Sequence, residues 1–339
     1  MIVPGDCCED WERNFTLTRF ALRKAIAALI TIFAILCVNF IIFRIAPGDP
    51  VRMMFKDPRV SAKQLELQRQ KFGIDKPLSG QFVAYMKQLS RGDLGISFWQ
   101  KRPVTEVIAE RIPATLALVL TALVIAVVLG VALGAIAGWR NGTKLDTFLL
   151  TASLTMYSIP TFALGIILLL VFAYFLSIFP LGGIATPASG FEGFEYIKDV
   201  AWHMFLPCFS IILWYIGEYV LLTRSSMMDV LGQDYIATAR GKGIKEFRVL
   251  KNHALRNALL PVVTLTGINI GFAIAGVIEA ETVFSWPGAG RLVYDAVVKR
   301  DYPLLQGVFL LFAVSVVLAN LFIDLIYGFI DPRIKVGAK

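Results

Sequence analysis

Apolar residues in this chain gather into six long runs rather than alternating with polar ones. The runs cover about 25–43, 113–138, 148–179, 203–222, 259–280 and 304–330, and most of the charge lies between them. Crossing the hydrocarbon core takes roughly 20 mostly apolar residues in a helix. A helix satisfies every backbone polar group without water, and these runs are too long for barrel strands. The pattern therefore predicts an all-α integral membrane protein with six transmembrane helices. The third run is over-long and contains Pro160, so it is expected to tilt, kink or begin with an interfacial segment.

The connecting segments divide the chain further. Residues 1–24 form a short mixed-charge lead-in, 25–43 the first span, and 44–112 an insertion too long for a simple turn. Residues 113–330 carry spans two to six, and 331–339 form a tail. Within the insertion, "RIAPGDPV" at 44–51 cannot continue a helix. Ser61 and Gln64 are spaced as a capping box, opening a helix that Gly73 would close. Pro77 begins a second expected helix with Phe82, Tyr85, Met86 and Leu89 on one stripe. "RGDLGISF" at 91–98 reads as a turn, and "VTEVIAERI" at 104–112 leads amphipathically into the second span. Inside that span Gly130, Gly134 and Gly138 recur every four residues, which permits close helix approach in a membrane.

Composition agrees with this class: 57% of residues are hydrophobic, 17% are charged, and the mean hydropathy is +0.67. The net charge of +8 would suit nucleic acid, but its placement argues against that partner. With six spans both termini share one side. Sixteen Lys/Arg fall on that side and four on the short segments of the other, setting aside the long 44–112 stretch. The positive-inside rule puts both termini in the cytoplasm. The first run is long enough to span and is followed by no small-residue cleavage site, so it reads as a permanent helix, not a signal peptide. Cys7 and Cys8 lie in the lead-in, Cys37 and Cys208 within spans, which makes neither a disulfide framework nor a CxxC metal pattern.

Candidate chemistry is sparse. The two histidines, His203 and His253, are expected on opposite sides of the membrane, so no metal site is predicted. Neither HExxH nor the G-x-x-x-x-G-K-[ST] phosphate loop occurs, which argues against an enzyme with its own ATPase. Among ionisable residues within the spans Glu218 and Asp324 are the best cases, since a charge there costs roughly 2.5–3.5 kcal/mol on insertion scales. Glu218 either meets an aqueous pathway or a peptide amine, or pairs with a basic group such as Arg224 close to the interface; the pairing is the plainer reading. Asp324 is expected to be a pairing or packing group. Asn39 and Asn269 are expected to hydrogen-bond between helices, and Asn269, with Glu218, is also a candidate pathway residue.

One hydrophilic stretch stands out: "DYIATARGKGIKEFRVLKNHALRNALLP", residues 234–261. Asp234 can cap a short helix running through Ala237 and Ala239. Gly241 and Gly243 permit a bend. A second helix is expected from about Lys245 to Ala258, with Ile244, Phe247, Leu250 and Ala254 on one side. The element is amphipathic and cytoplasmic, and it joins the fourth and fifth spans directly. It can transmit a force to those spans, or simply lie on anionic headgroups.

The same stretch resembles the EAA loop of ABC importer permeases, the cytoplasmic helix pair that docks into a groove of the ATP-hydrolysing subunit. Ala239 and Gly243 match its second alanine and its glycine. Ala237 replaces its glutamate, Thr238 its first alanine, and the later His253-Ala254-Leu255-Arg256 lacks the motif's proline. Further segments resemble the dipeptide/oligopeptide permeases, in the subunit with a large outer loop: "FRIAPGDPV" (43–51), "GDLGISF" (92–98), "RIPATLAL" (111–118), "SIPTFALG" (158–165), "ETVFSWPGAGRL" (281–292) and "DLIYGFIDPRI" (324–334).

The resemblance implies a type I importer permease with an extracytoplasmic insertion after helix 1, in a prokaryotic inner membrane. Its implied partners are the lipid bilayer, a second homologous permease, two ATP-binding ABC subunits and an extracytoplasmic substrate-binding protein. ATP and Mg would be bound by the ATPase subunits, leaving no cofactor in this chain. The coupling loop would comprise Asp234, Ala237, Thr238, Ala239, Gly241, Gly243, Phe247 and His253, with Phe247 and the 237–243 turn in the docking surface. Peptides are the implied cargo; oligosaccharides or nickel are the alternatives in the same complex type, and an ATP-independent secondary carrier is the rival class.

Overall fold

Long unbroken apolar runs give long helices, and the computed structural model, which describes residues 6–45, 77–273 and 277–330, is helical almost throughout. In chain order the helices are α1 (Asp6–Ile45), α2 (Leu78–Leu89), α3 (Val104–Trp139), α4 (Lys144–Ser158), α5 (Thr161–Leu168), α6 (Gly193–Leu231), α7 (Asp234–Gly241), α8 (Arg256–Phe272), α9 (Ile278–Val283), α10 (Ala289–Lys299) and α11 (Tyr302–Ile330). Among the described residues, five helical stretches are long and apolar enough to cross a membrane: Ala21–Arg44, Val104–Trp139, Gly193–Leu231, Glu246–Phe272 and Tyr302–Leu325. The third apolar run, 148–179, is broken. At Ile159–Pro160 the chain turns extended, and Lys144–Ser158 meets Thr161–Phe175 at 96°. Pro160, with no N–H to give a helix and a clash with the preceding turn, is the physical cause. The expected kink is thus a sharp break. The expected capping box at Ser61 and the Gly73 stop lie outside the described residues.

The chain divides into two units, residues 1–110 with 295–339, and residues 111–294. In the first, α1 packs along α11. Lys24 pairs with Asp324 at 2.8 Å, and the Asn39 side chain donates to the Gln306 carbonyl at 3.3 Å, so both residues serve the helix-pairing roles expected of them. α2 begins after Pro77, and its stripe faces Phe40, whose ring lies edge-on to Phe82 at 5.2 Å and tilted against Tyr85 at 5.6 Å. Asp301 organises the turn at 91–103. Its carboxylate accepts from the Ser97 hydroxyl (2.5 Å) and the backbone N–H of Phe98 and Trp99, while also capping α11 through Leu304 N–H.

The second unit is built on glycine contacts. A Cβ placed on Gly130, Gly134 or Gly138 would lie 2.5–2.7 Å from the Cβ of Tyr219, Thr223 or Met227 on α6. The three-glycine stripe of α3 is therefore a helix-packing face, as its spacing predicts. On another side of α6, a Cβ on Gly217 would lie 2.7 Å from the Ser153 carbonyl of α4. The core gathers Leu118, Ala122 and Ala126 of α3 around Ile211, Tyr215 and Tyr219 of α6, with Val262 of α8 and the buried Trp286.

The 281–291 segment is fastened through one buried acid that the hydropathy pattern did not single out. Glu281 accepts from the Thr115 hydroxyl at 2.8 Å and from Arg291 N–H at 3.0 Å, and Thr115 in turn accepts from Ala289 N–H at 2.7 Å. A Cβ on Gly288 would fall 2.3 Å from this carboxylate, which explains the glycine. Burial pushes the Glu281 carboxyl above the usual carboxylate range, against the opposing effect of those donors.

Candidate functional site

The hydrophilic stretch after α6 folds as a bent helical hairpin with a sharply divided surface. Ile236, Ala239, Val249, Ala254 and Ala258 are buried together with Ala135 of α3 and Met227 of α6, and Ile244 and Leu250 pack at the edge. This spine ties the hairpin rigidly to two apolar helices. Tyr235, Ala237, Thr238, Gly241, Lys242, Gly243, Phe247 and Arg248 face outward. Phe247 is 73% exposed, a large aromatic held clear of the core. The sequence placed Phe247 on one side with Ile244, Leu250 and Ala254; the structure separates it from them.

Two local features differ from the helix boundaries expected. Gln233, not Asp234, is the N-cap residue of α7, and no side chain caps it; Asp234 is the first helical residue. The second helix does not stand apart over 245–258. Glu246–Arg248 passes through a π-helical stretch, Val249–Leu255, straight into α8, so one helical run of 27 residues joins the hairpin to the fifth span. Amphipathic periodicity averages over a wide turn and cannot register it. A push on the hairpin therefore acts along a continuous rod.

The bend is set by Gly243 at φ +72°, a left-handed conformation that glycine adopts without steric cost. Gly241 needs no such freedom. Gly243 N–H and Lys242 N–H return to the Arg240 and Thr238 carbonyls, closing α7. Arg240 reaches across the bend to Glu246 at 3.0 Å and lies over the Trp139 ring at 5.9 Å, and Asn257 donates to the Tyr235 hydroxyl at 2.8 Å. These clasps were not anticipated, although opposite charges flanking two glycines were a visible signal. His253 is half-buried and its backbone carbonyl accepts from Asn257.

Glu218 does not pair with Arg224. Arg224 is held by Asp146, Nε at 2.5 Å and a terminal nitrogen at 2.9 Å, at the start of α4. Glu218 instead lies beside Asn269 of α8, whose amide donates to Glu218 Oε2 at 3.4 Å and to the Tyr219 hydroxyl at 3.1 Å. The structure thus brings the two candidate pathway residues together across α6 and α8. Among the described residues, no group of three or more His, Cys, Asp or Glu could hold a metal ion.

Comparison with known proteins places this architecture. Residues 130–336 match the family described as "Binding-protein-dependent transport system inner membrane component", and residues 17–119 match its N-terminal companion. The chain is 37% identical over 320 residues to the oligopeptide transport system permease protein AppB of Bacillus subtilis, covering 94% of this chain and 100% of the relative. It is 37% identical over 337 residues to the dipeptide transport system permease protein DppB of Escherichia coli K12, covering 94% and 99%. The glutathione transport system permease protein GsiC of Escherichia coli O6:H1 is 38% identical over 320 residues, covering 94% and 99%. A multi-pass helical fold with these relatives and these ordered motifs is decisive: the chain belongs to the binding-protein-dependent transport system inner membrane components, the permease subunits of ABC importers.

Proposed function

We propose that the 234–258 hairpin is the site at which separate ATP-binding subunits grip this permease, and that the cargo is a short peptide. The carrying observation is the division of the hairpin's surface. Its apolar spine is buried against α3 and α6, while Phe247, 73% exposed, projects beside a rim of Lys and Arg. An exposed aromatic anchor ringed by charge is the usual makeup of a protein-binding surface. Relatives whose names specify oligopeptide, dipeptide and glutathione transport support a peptide cargo.

In this reading the chain forms half of a pathway with a second, homologous permease. Two ATPase subunits bind the nucleotide and Mg, so this chain carries no cofactor and catalyses no hydrolysis. A binding protein delivers cargo to the outer face, and both termini lie in the cytoplasm, as the bias of basic residues supports. Closure of the ATPase pair draws the hairpins together. The continuous rod Glu246–Phe272 then moves the fifth span, and the buried spine carries α3 and α6 with it.

The test is Phe247→Ala in the complete importer. ATP-driven peptide uptake should fall about tenfold or more, matching loss of an interface hot spot, with normal amounts of the chain in the membrane. Wild-type uptake by the variant, or uptake by the isolated wild-type chain without ATPase subunits, overturns the reading.

A further inference from the structure

Glu218 lies six residues before Arg224 on α6, about 9 Å deeper along the helix at 1.5 Å per residue. It sits within a stretch apolar enough to span, yet no cation is within ion-pair distance of it among the described residues. Its neighbours in sequence are sealed: Gly217 against α4 and Tyr219 beneath Gly130 of α3. The stripe of Trp214, Glu218 and Leu222, spaced by four, stays half-exposed between those packed faces. A carboxylate retained there needs water or a visiting cation to offset its desolvation.

The surrounding groups select the visitor. Asn269 turns its amide nitrogen toward Glu218 Oε2 and the Tyr219 hydroxyl, so Glu218 Oε1 and Asn269 Oδ1 accept no hydrogen bond from the described residues. One helical turn away, Trp214 stacks on Tyr157 with centroids 5.5 Å apart, presenting aromatic surface beside the acid. Acceptors, a negative charge and aromatic rings, with no basic side chain among them, suit an ammonium group, which brings three donors and a positive charge.

We infer that Glu218, with Asn269 and Trp214, forms a subsite in the pathway for the protonated amino terminus of the peptide in transit. This rests on the peptide-import reading above. The experiment uses the complete importer in liposomes, with its binding protein saturated in turn by alanyl-alanine and by lactyl-alanine, in which a hydroxyl replaces the amine; loading is measured separately. Per loaded binding protein, wild type imports alanyl-alanine about tenfold faster than its hydroxyl analogue, the worth of one charge-assisted hydrogen bond. Glu218→Gln brings the two rates together by slowing alanyl-alanine, and Glu218→Asp, which keeps the charge, preserves the preference. Equal rates in wild type, an unchanged preference in Glu218→Gln, or equal loss in both variants overturns the subsite. If wild type imports neither compound, the peptide reading itself falls and the subsite with it.

Discussion

Arg224 of α6 grips Asp146 of α4 through two hydrogen bonds, Nε at 2.5 Å and a terminal nitrogen at 2.9 Å, while the Asp146 side chain is only 4% exposed. Asp146 also accepts from Gly142 N–H at 3.0 Å, and Arg224 reaches Asn141 at 3.2 Å, so one ion pair fastens the whole 140–146 turn to α6. It also removes from Glu218 the partner that sequence proximity suggested.

Asp146→Ala should therefore lower stability in detergent by about 2 kcal/mol, the worth of hydrogen bonds to a charged group whose partner is then stranded. Arg224→Lys should recover only part of it, since an ammonium cannot reproduce the forked contact. Thermal unfolding of the purified chain measures both, and an unshifted midpoint for Asp146→Ala would count against this role.

The glycine stripe makes a steeper prediction. A Cβ on Gly134 would lie 2.7 Å from both the Val220 carbonyl and Thr223 Cβ, backbone and stem rather than a flexible tip. Gly134→Ala should cost about 1–3 kcal/mol through forced separation of α3 and α6, and Gly134→Val should abolish stable accumulation in the membrane. Quantifying membrane-inserted protein distinguishes the two; wild-type levels of Gly134→Val would contradict the packing.

In the hairpin the two glycines should behave differently. Gly243 holds φ +72° with open space around it, whereas Gly241 is open and does not adopt a positive φ. Gly243→Val should strain the backbone by about 1–2 kcal/mol and reduce ATP-coupled uptake with insertion intact. Gly241→Ala should leave insertion intact and strain no backbone, so its effect on uptake should be the smaller. Parallel uptake assays check the contrast, and equal effects at the two positions would refute it.

Glu281 predicts a pH dependence. Burial raises its carboxyl in the folded chain above the unfolded value of about 4.3. Between the two values the native state binds more protons, so stability falls as pH rises through that window. Glu281→Gln, which cannot ionise, should flatten this segment of the stability–pH curve. An identical slope in the variant would show that other groups cause it.

Much of the fold was legible from one-dimensional pattern. Hydrophobic runs located the long apolar helices, four-residue glycine spacing located the α3–α6 contact, and the basic hairpin announced itself by interrupting the apolar text. Proline at 160 marked the break but not its 96° angle, which depends on what the two halves pack against. The π-helical stretch at Val249–Leu255 escaped because a local change of helical pitch leaves no periodic signature. Phe247 was grouped with the spine because periodicity assigns a face without saying which residues a neighbour covers.

The amino-acid order by itself determined that this chain is a multi-pass membrane protein, how its basic residues are distributed, and where a charged hairpin interrupts the apolar runs. Transfer of apolar helices out of water depends on local composition, so those features need no knowledge of partners. The tertiary structure alone decided who meets whom: Asp146 with Arg224, Glu281 with Thr115, Glu218 with Asn269. Each pair joins residues 51 to 166 positions apart. Such pairings arise from helices packing side by side, a geometry that no local stretch of sequence contains.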